Sequence, residues 1–253
     1  ERWRNLGETH LSRQRGAKAQ IQKQIMVENT IPFNQPKQRQ RPIELIPKSR
    51  NQENLILNLL NQDQSIVVAV GPAGTGKTYL AMLAAVKAFR SGEAKRIILT
   101  RPAIGVEDEQ HGFLPGNLVA KMEPWTRPLL DVLREYYRPP EIAAMIDDGT
   151  IEISPLAYMR GRTFKHAWII ADEMQNATPA QMKMLLSRIG TESRIVVTGD
   201  VEQADRAQGQ NGLLDLCSRL EHYPVTGMAV CRLNGRDIQR HPIIGKVLAL
   251  YDQ

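Results

Sequence analysis

The sequence is poor in cysteine, in aromatic residues and in long apolar runs. Its 253 residues include two cysteines, Cys217 and Cys231, which form no CxxC pair, and five scattered histidines. Neither a disulfide framework nor a zinc site is supported, and both thiols are expected to be buried. No apolar run approaches the roughly 18 to 20 residues that span a bilayer, and residues 1–30 hold no apolar stretch of the secretory kind. The expectation is a soluble, cytoplasmic protein without membrane association. Aromatic residues make up only 5% of the chain, which leaves few side chains on which bases could stack.

What is present is an ordinary globular composition, 42% apolar and 24% charged, which excludes collagen-like and wholly disordered chains. The formal charge is +6, and it is unevenly placed. Residues 1–50 hold 11 Lys and Arg against 4 Asp and Glu, a net of +7, so the remaining 203 residues carry −1. The first segment is also rich in Gln and Asn, has Pro at 32, 36, 42 and 47, and shows little apolar periodicity. It reads as a flexible basic arm, residues 1–50, with at most one short helix across Ala17–Val27. A basic arm neutralises phosphates, and an even-charged remainder does not.

From Asn51 the pattern changes. Leu55, Ile56, Leu59 and Leu60 recur at helical spacing, and Ser65–Val70 is a short β-branched run that ends in Gly71. Further apolar runs at Arg96–Thr100, Ile151–Ile153, Ala167–Ala171, Ile195–Thr198 and Met228–Leu233 alternate with helical stretches at Thr78–Arg90, Leu118–Tyr137, Pro179–Ile189, Gly212–Leu220 and Pro242–Tyr251. Strands alternating with helices predict one α/β domain over residues 51–253, a parallel sheet flanked by helices.

Gly71-Pro72-Ala73-Gly74-Thr75-Gly76-Lys77-Thr78 fits G-x-x-x-x-G-K-[ST] between a strand and a helix. Glycines at 71, 74 and 76 let successive N–H groups turn into one concavity, to which the following helix adds its positive end. Lys77 would reach the β and γ phosphates, and the Thr78 hydroxyl would ligate Mg²⁺. Tyr79 follows directly and belongs to the same candidate nucleotide contact set. Downstream, the strand Ala167–Ala171 ends in Asp172-Glu173. In such a site the first carboxylate holds the metal shell and the second polarises water, which assigns Asp172 to Mg²⁺ and Glu173 to the general base. A third strand ends in Thr198-Gly-Asp200, with Gln203 placed to sense the γ phosphate or position the water.

These motifs, with TRPA and GFLPG (100–116), KMEPWTRPLLD (121–131), PLAYMRGRTF (155–164), IIADEMQNATPAQMKMLLSRIG (169–190) and TGDVEQAD (198–205), resemble the PhoH family of P-loop ATPases. The arrangement is also similar to the nucleotide half of superfamily 1 helicases. The resemblance implies a RecA-like domain that hydrolyses ATP with Mg²⁺, coupled to RNA binding, unwinding or remodelling. It further implies a homo-oligomeric ring, a hexamer, because a lone RecA-like half lacks the arginine that a neighbour supplies. Candidates for that arginine are Arg160, Arg162, Arg236 and Arg240, and Arg240 is placed with the catalytic residues. The upstream glutamine that reads adenine in related helicases falls on Gln52 or Asn54. Met174 stands where the family commonly has Ser or Ala. No PIN-type nuclease domain is fused within these residues, so RNA cleavage is not implied. For single-stranded RNA, Trp125, Tyr158 and Arg101 are the candidate contacts.

Two other classes compete. A nucleotide-switched scaffold for a partner ribonuclease or ribosome-associated protein would use the same loop without its own chemistry. A small-molecule phosphotransferase fits the Asp172-Glu173 pair less well, since that pair suits water activation. A GTPase is disfavoured by the absence of N/T-K-x-D.

Overall fold

The computed structural model describes residues 42–102, 127–203 and 211–239. The candidate helices Ala17–Val27 and Pro242–Tyr251, together with Trp125 and Arg240, lie outside these residues.

Helix α1, Arg50–Leu60, starts where the Ser49 hydroxyl accepts the Gln52 N–H, and it turns Leu55, Ile56 and Leu59 inward. Strand β1, Ile66–Val70, is buried along its whole length, as its unbroken apolar run requires of a central parallel strand. Helix α2, Lys77–Ser91, follows the glycine turn and ends at Gly92 in the left-handed conformation. Strand β2 is Arg96–Arg101, and helical turns cover 127–134. Next come α3, Pro139–Asp147, and β3, Ile151–Pro155, which runs into a 3₁₀ turn at Leu156–Met159. Strand β4 is Ala167–Ala171, followed by a 3₁₀ turn at Met174–Asn176. The described chain continues through α4, Pro179–Leu186, β5, Arg194–Gly199, α5, Gly212–His222, and β6, Met228–Arg232. A last 3₁₀ turn covers Gly235–Asp237.

The six strands are all parallel, in the order β3-β2-β4-β5-β1-β6. Alternation along each strand sends side chains to opposite faces. Val67 and Ala69 of β1 join a cluster with Leu55, Leu59 and the inner face of α2. Ile66, Val68 and Val70 join a second cluster with Met182, Leu185 and Leu213 of α4 and α5. Each fully buried aliphatic side chain contributes about 1.5–3 kcal/mol, so both faces hold the sheet in place. The fold is a RecA-like P-loop domain, a parallel sheet with helices on both sides. Ile43 and Leu45, within the segment read as arm, pack against the first cluster.

The strand order decides the site. Strand β5 lies between β1 and β4, with Gly199 opposite Val70 and Val197 opposite Ala171. Parallel strands end at one edge, so the three motifs that follow β1, β4 and β5 emerge side by side.

Helix α3 is absent from the periodicity reading because Pro139-Pro140 reads as a break. Proline is favoured in the first helical turn, where its missing N–H has no partner to lose. Here the Arg138 backbone N–H donates to the Glu141 carboxylate at 2.7 Å and closes that turn. Arg194 is nearly buried at the start of β5. Its guanidinium donates to the carbonyls of Leu59 and Asn61 and lies over the Trp168 ring, 4.9 Å from its centroid. This ties the end of α1 to the sheet. Both cysteines are buried and unpaired, and burial pushes the Cys231 thiol up to about 11. No helix among the described residues is long and apolar enough to cross a membrane.

Candidate active site

The loop between β1 and α2 needs its glycines. Gly71, Gly74 and Gly76 have φ of 147°, 83° and 85°, conformations that L side chains rarely adopt. At Gly71 a Cβ would also meet the Leu233 carbonyl oxygen at 2.4 Å. Gly76 caps α2 without any side-chain bond to the first helical N–H groups, and those donors are what an anion takes up. The Thr75 hydroxyl donates to the Pro72 carbonyl at 2.9 Å and pins the loop from inside.

Lys77 is nearly buried. Its ammonium donates to the carbonyls of Gly71 at 2.5 Å and Pro72 at 2.8 Å. Burial pushes it below the ordinary lysine range, against the opposing charges of Asp200, Asp172 and Glu173. The Thr78 hydroxyl donates to Asp172 Oδ1 at 2.8 Å, and the Thr198 hydroxyl donates to the same oxygen at 2.5 Å. One carboxylate from β4 is thus held by hydroxyls from α2 and β5.

Glu173 follows with φ 54°, a left-handed conformation that is uncommon for a side chain of its kind. Its carboxylate accepts the Gln175 amide, and Gln175 in turn accepts the Asp200 backbone N–H. Lys77, Thr78, Tyr79, Asp172, Glu173, Asp200 and Gln203 all line one cavity of about 240 Å³, with Ala73, Gly74 and Gly76 on its other wall. Gly71, Pro72 and Thr75 stand behind that wall and shape the loop rather than line the cavity. A larger cleft of about 690 Å³ lies at the opposite edge of the sheet, among Gln64, Trp168 and Arg194, and holds none of the residues of the phosphate loop or of the Asp172-Glu173 pair.

The residues fit Mg²⁺. Thr78 and Asp172 offer hard oxygen donors side by side, and Mg²⁺ in phosphate sites takes one or two protein oxygens and completes its shell with water and phosphate. Among the described residues no cluster of three or more His, Cys, Asp or Glu could hold a metal ion.

Of the two placements for the upstream glutamine, Gln52 reaches the loop and Asn54 does not. Gln52 is buried, donates to the Thr75 carbonyl at 2.9 Å and accepts the Lys48 N–H at 2.8 Å. Asn54 is exposed and its carbonyl accepts from Asn58. Among the arginines, Arg162 is committed elsewhere: both of its terminal nitrogens hold Glu152, and it stacks over Phe164 at 4.6 Å. Arg160 is exposed, Arg236 is exposed on the 3₁₀ turn after β6, and Arg240 lies outside the described residues. Tyr158 is 58% exposed on the turn after β3, and Arg101 ends β2 opposite Pro155. Sequence reasoning assigned no role to Gln175 or Asp237. Asp237 is buried, accepts the Asn51 side chain and the Asn234 N–H, and stands two residues before Gln239, whose N–H donates to the Gly74 carbonyl at 2.9 Å. Only a fold that returns β6 beside the loop could reveal it.

A family model described as PhoH-like protein matches residues 44–252. The chain belongs to the PhoH-like protein family. Relatives include PhoH-like proteins of Synechocystis sp., 45% identical over 192 residues (76% of this chain, 58% of that protein), and Bacillus subtilis, 44% identical over 207 residues (81% and 63%). Protein PhoH of Escherichia coli is 38% identical over 212 residues, 80% of this chain and 57% of that protein. The chain therefore spans about three-fifths of the length of these PhoH-like relatives. Among solved structures, the DNA-bound helicase MrfA aligns with a TM-score of 0.44 at 14% identity, over 74% of this chain and 26% of that one. The Hef helicase domain of Pyrococcus furiosus aligns with a TM-score of 0.42 at 11% identity, over 74% and 38%. This PhoH-like chain carries its phosphate loop at the edge where β1, β4 and β5 end.

Proposed function

We propose that this PhoH-like chain hydrolyses ATP with Mg²⁺ and couples the turnover to single-stranded RNA. The observation that carries the reading is the shared oxygen of Asp172, held by Thr78 and Thr198, with Glu173 on the same cavity as Lys77. When bound, Mg²⁺ would supply positive charge that offsets the charge developing on the phosphates. The α2 N-terminus and the loop N–H groups bind the phosphates, and Lys77 exchanges its carbonyl partners for phosphate oxygens. Thr78 and Asp172 would hold the metal. Glu173 takes a proton from the attacking water at its carboxylate, while Gln203 orients that water. Gln52 retains one amide hydrogen and one acceptor site beyond its two bonds to the chain. That pair suits the N7/N6 edge of adenine, which favours ATP.

The RNA reading rests on Arg101, Tyr158 and Arg160. Both arginine side chains lack a hydrogen-bond or ion-pair partner among the described residues; Arg101 ends β2, and Tyr158 and Arg160 follow β3, on the edge that carries the phosphate loop. Arginines bind phosphates and an exposed tyrosine stacks a base. The arm, residues 1–50, adds a sequence-independent grip. A homo-hexameric ring would supply Arg240, Arg236 or Arg160 to a neighbour's γ phosphate, and the expected location is cytoplasmic. Phosphate release measured with and without single-stranded RNA tests the coupling: stimulation by RNA is expected. An RNA-independent rate overturns it in favour of a nucleotide-switched scaffold.

A further inference from the structure

The fold buries an amide that no motif reading required. Gln175 sits on the 3₁₀ turn after β4 and is 2% exposed. Its Nε2 donates to Glu173 Oε2 at 2.5 Å, and its Oε1 accepts the Asp200 N–H at 3.1 Å. The same oxygen would lie 2.6 Å from a Cβ at position 199, so the amide fits only because that residue is Gly199. Glu173 itself lies in the left-handed region, which is uncommon for a residue with a side chain. The two bonds therefore set the carboxylate of β4 against the end of β5.

We infer that Gln175 is a positioning residue for the general base. Its amide N–H holds the Glu173 carboxylate in one rotamer and leaves the other oxygen of that carboxylate for water. Its carbonyl oxygen locks this arrangement to Asp200, on the strand end that also carries Gln203. Movement of the β5 end then transmits directly to the aim of the base. The inference rests on the assignment of Glu173 as base.

The test compares Gln175→Leu, which removes both bonds, with Gln175→Glu, which keeps an acceptor for the Asp200 N–H and loses the donor to Glu173. Both are expected to lower kcat for ATP hydrolysis roughly 10- to 100-fold, the cost of a misplaced reacting group, with ATP affinity within about twofold of the parent. In a Glu173→Gln background, Gln175→Leu is expected to cost less than about twofold more, because its effect passes through the carboxylate already removed. Parental kcat in Gln175→Glu, or a full additional loss in the double variant, overturns the inference alone. Parental turnover in Glu173→Gln itself overturns the base and the inference with it. Retained ATP binding in each variant separates these outcomes from a failure to fold.

Discussion

Lys77 carries a charge into a nearly closed site, and three carboxylates keep it there. Its ammonium donates to neutral loop oxygens, the carbonyls of Gly71 and Pro72 and the Thr75 hydroxyl, so anionic phosphate oxygens offer it a stronger set. A bond of that kind is worth about 1.5–3 kcal/mol. Lys77→Ala is therefore expected to weaken ATP binding roughly 10- to 150-fold, read by titration with a fluorescent nucleotide. Glu173→Gln should keep that affinity and lose turnover. Gly199 gives a different kind of prediction: a Cβ there meets Gln175 Oε1 and Leu213 Cδ2, both at 2.6 Å. Gly199→Ala is expected to cost about 1–3 kcal/mol of stability by overpacking, measured by urea denaturation, and to slow hydrolysis by displacing the amide. At this scale the sequence marked most of the site, since phosphate binding demands glycines, a lysine and a hydroxyl in fixed order. It did not mark Gln175, whose importance depends on a bond to a residue of another strand.

Elements are joined here by a few charged side chains that the periodicity of the sequence does not announce. Arg162 and Arg96 both hold Glu152 on the edge strand β3, which fixes the turn that presents Tyr158 and Arg160. Hydrogen bonds from Arg162, with the charges of both arginines, outweigh burial and hold the Glu152 carboxyl below the usual range. A carboxylate with a lowered folded-state pKa stabilises fully above its unfolded value, about 4.3, and that contribution is lost as pH falls through the folded value. Glu152→Gln should then cost about 1 kcal/mol at neutral pH, modest because the arginines are partly exposed. It should also flatten the fall of stability below about pH 4.3, measured by urea midpoints across that range. Strand and helix types were legible because apolar spacing differs between them. Helix α3 was not, because prolines that open a helix look like prolines that break one.

At the scale of the whole molecule, the described residues form one sheet with the phosphate loop at one edge. If arginine arrives from a neighbour, mixing Lys77→Ala chains with Arg240→Ala chains should restore hydrolysis that neither has alone. In a mixed ring the first supplies the arginine and the second the bound nucleotide. Phosphate release across mixing ratios reads this, and a flat, inactive series removes the trans arginine at 240. Deleting residues 1–41, a cut that spares Ile43 and Leu45 in the core, should lower RNA affinity and its salt dependence while basal hydrolysis remains. The sequence by itself determined the class of fold and the glycine turn that leads into α2, because hydrophobic period and loop stereochemistry are local properties. Only the tertiary structure decided that β5 lies between β1 and β4, that Gln52 rather than Asn54 meets the loop, that Arg162 serves Glu152, and that Gln175 links Glu173 to Asp200. Each of those is a contact between residues distant in the chain, and it exists only once the strands have found their order.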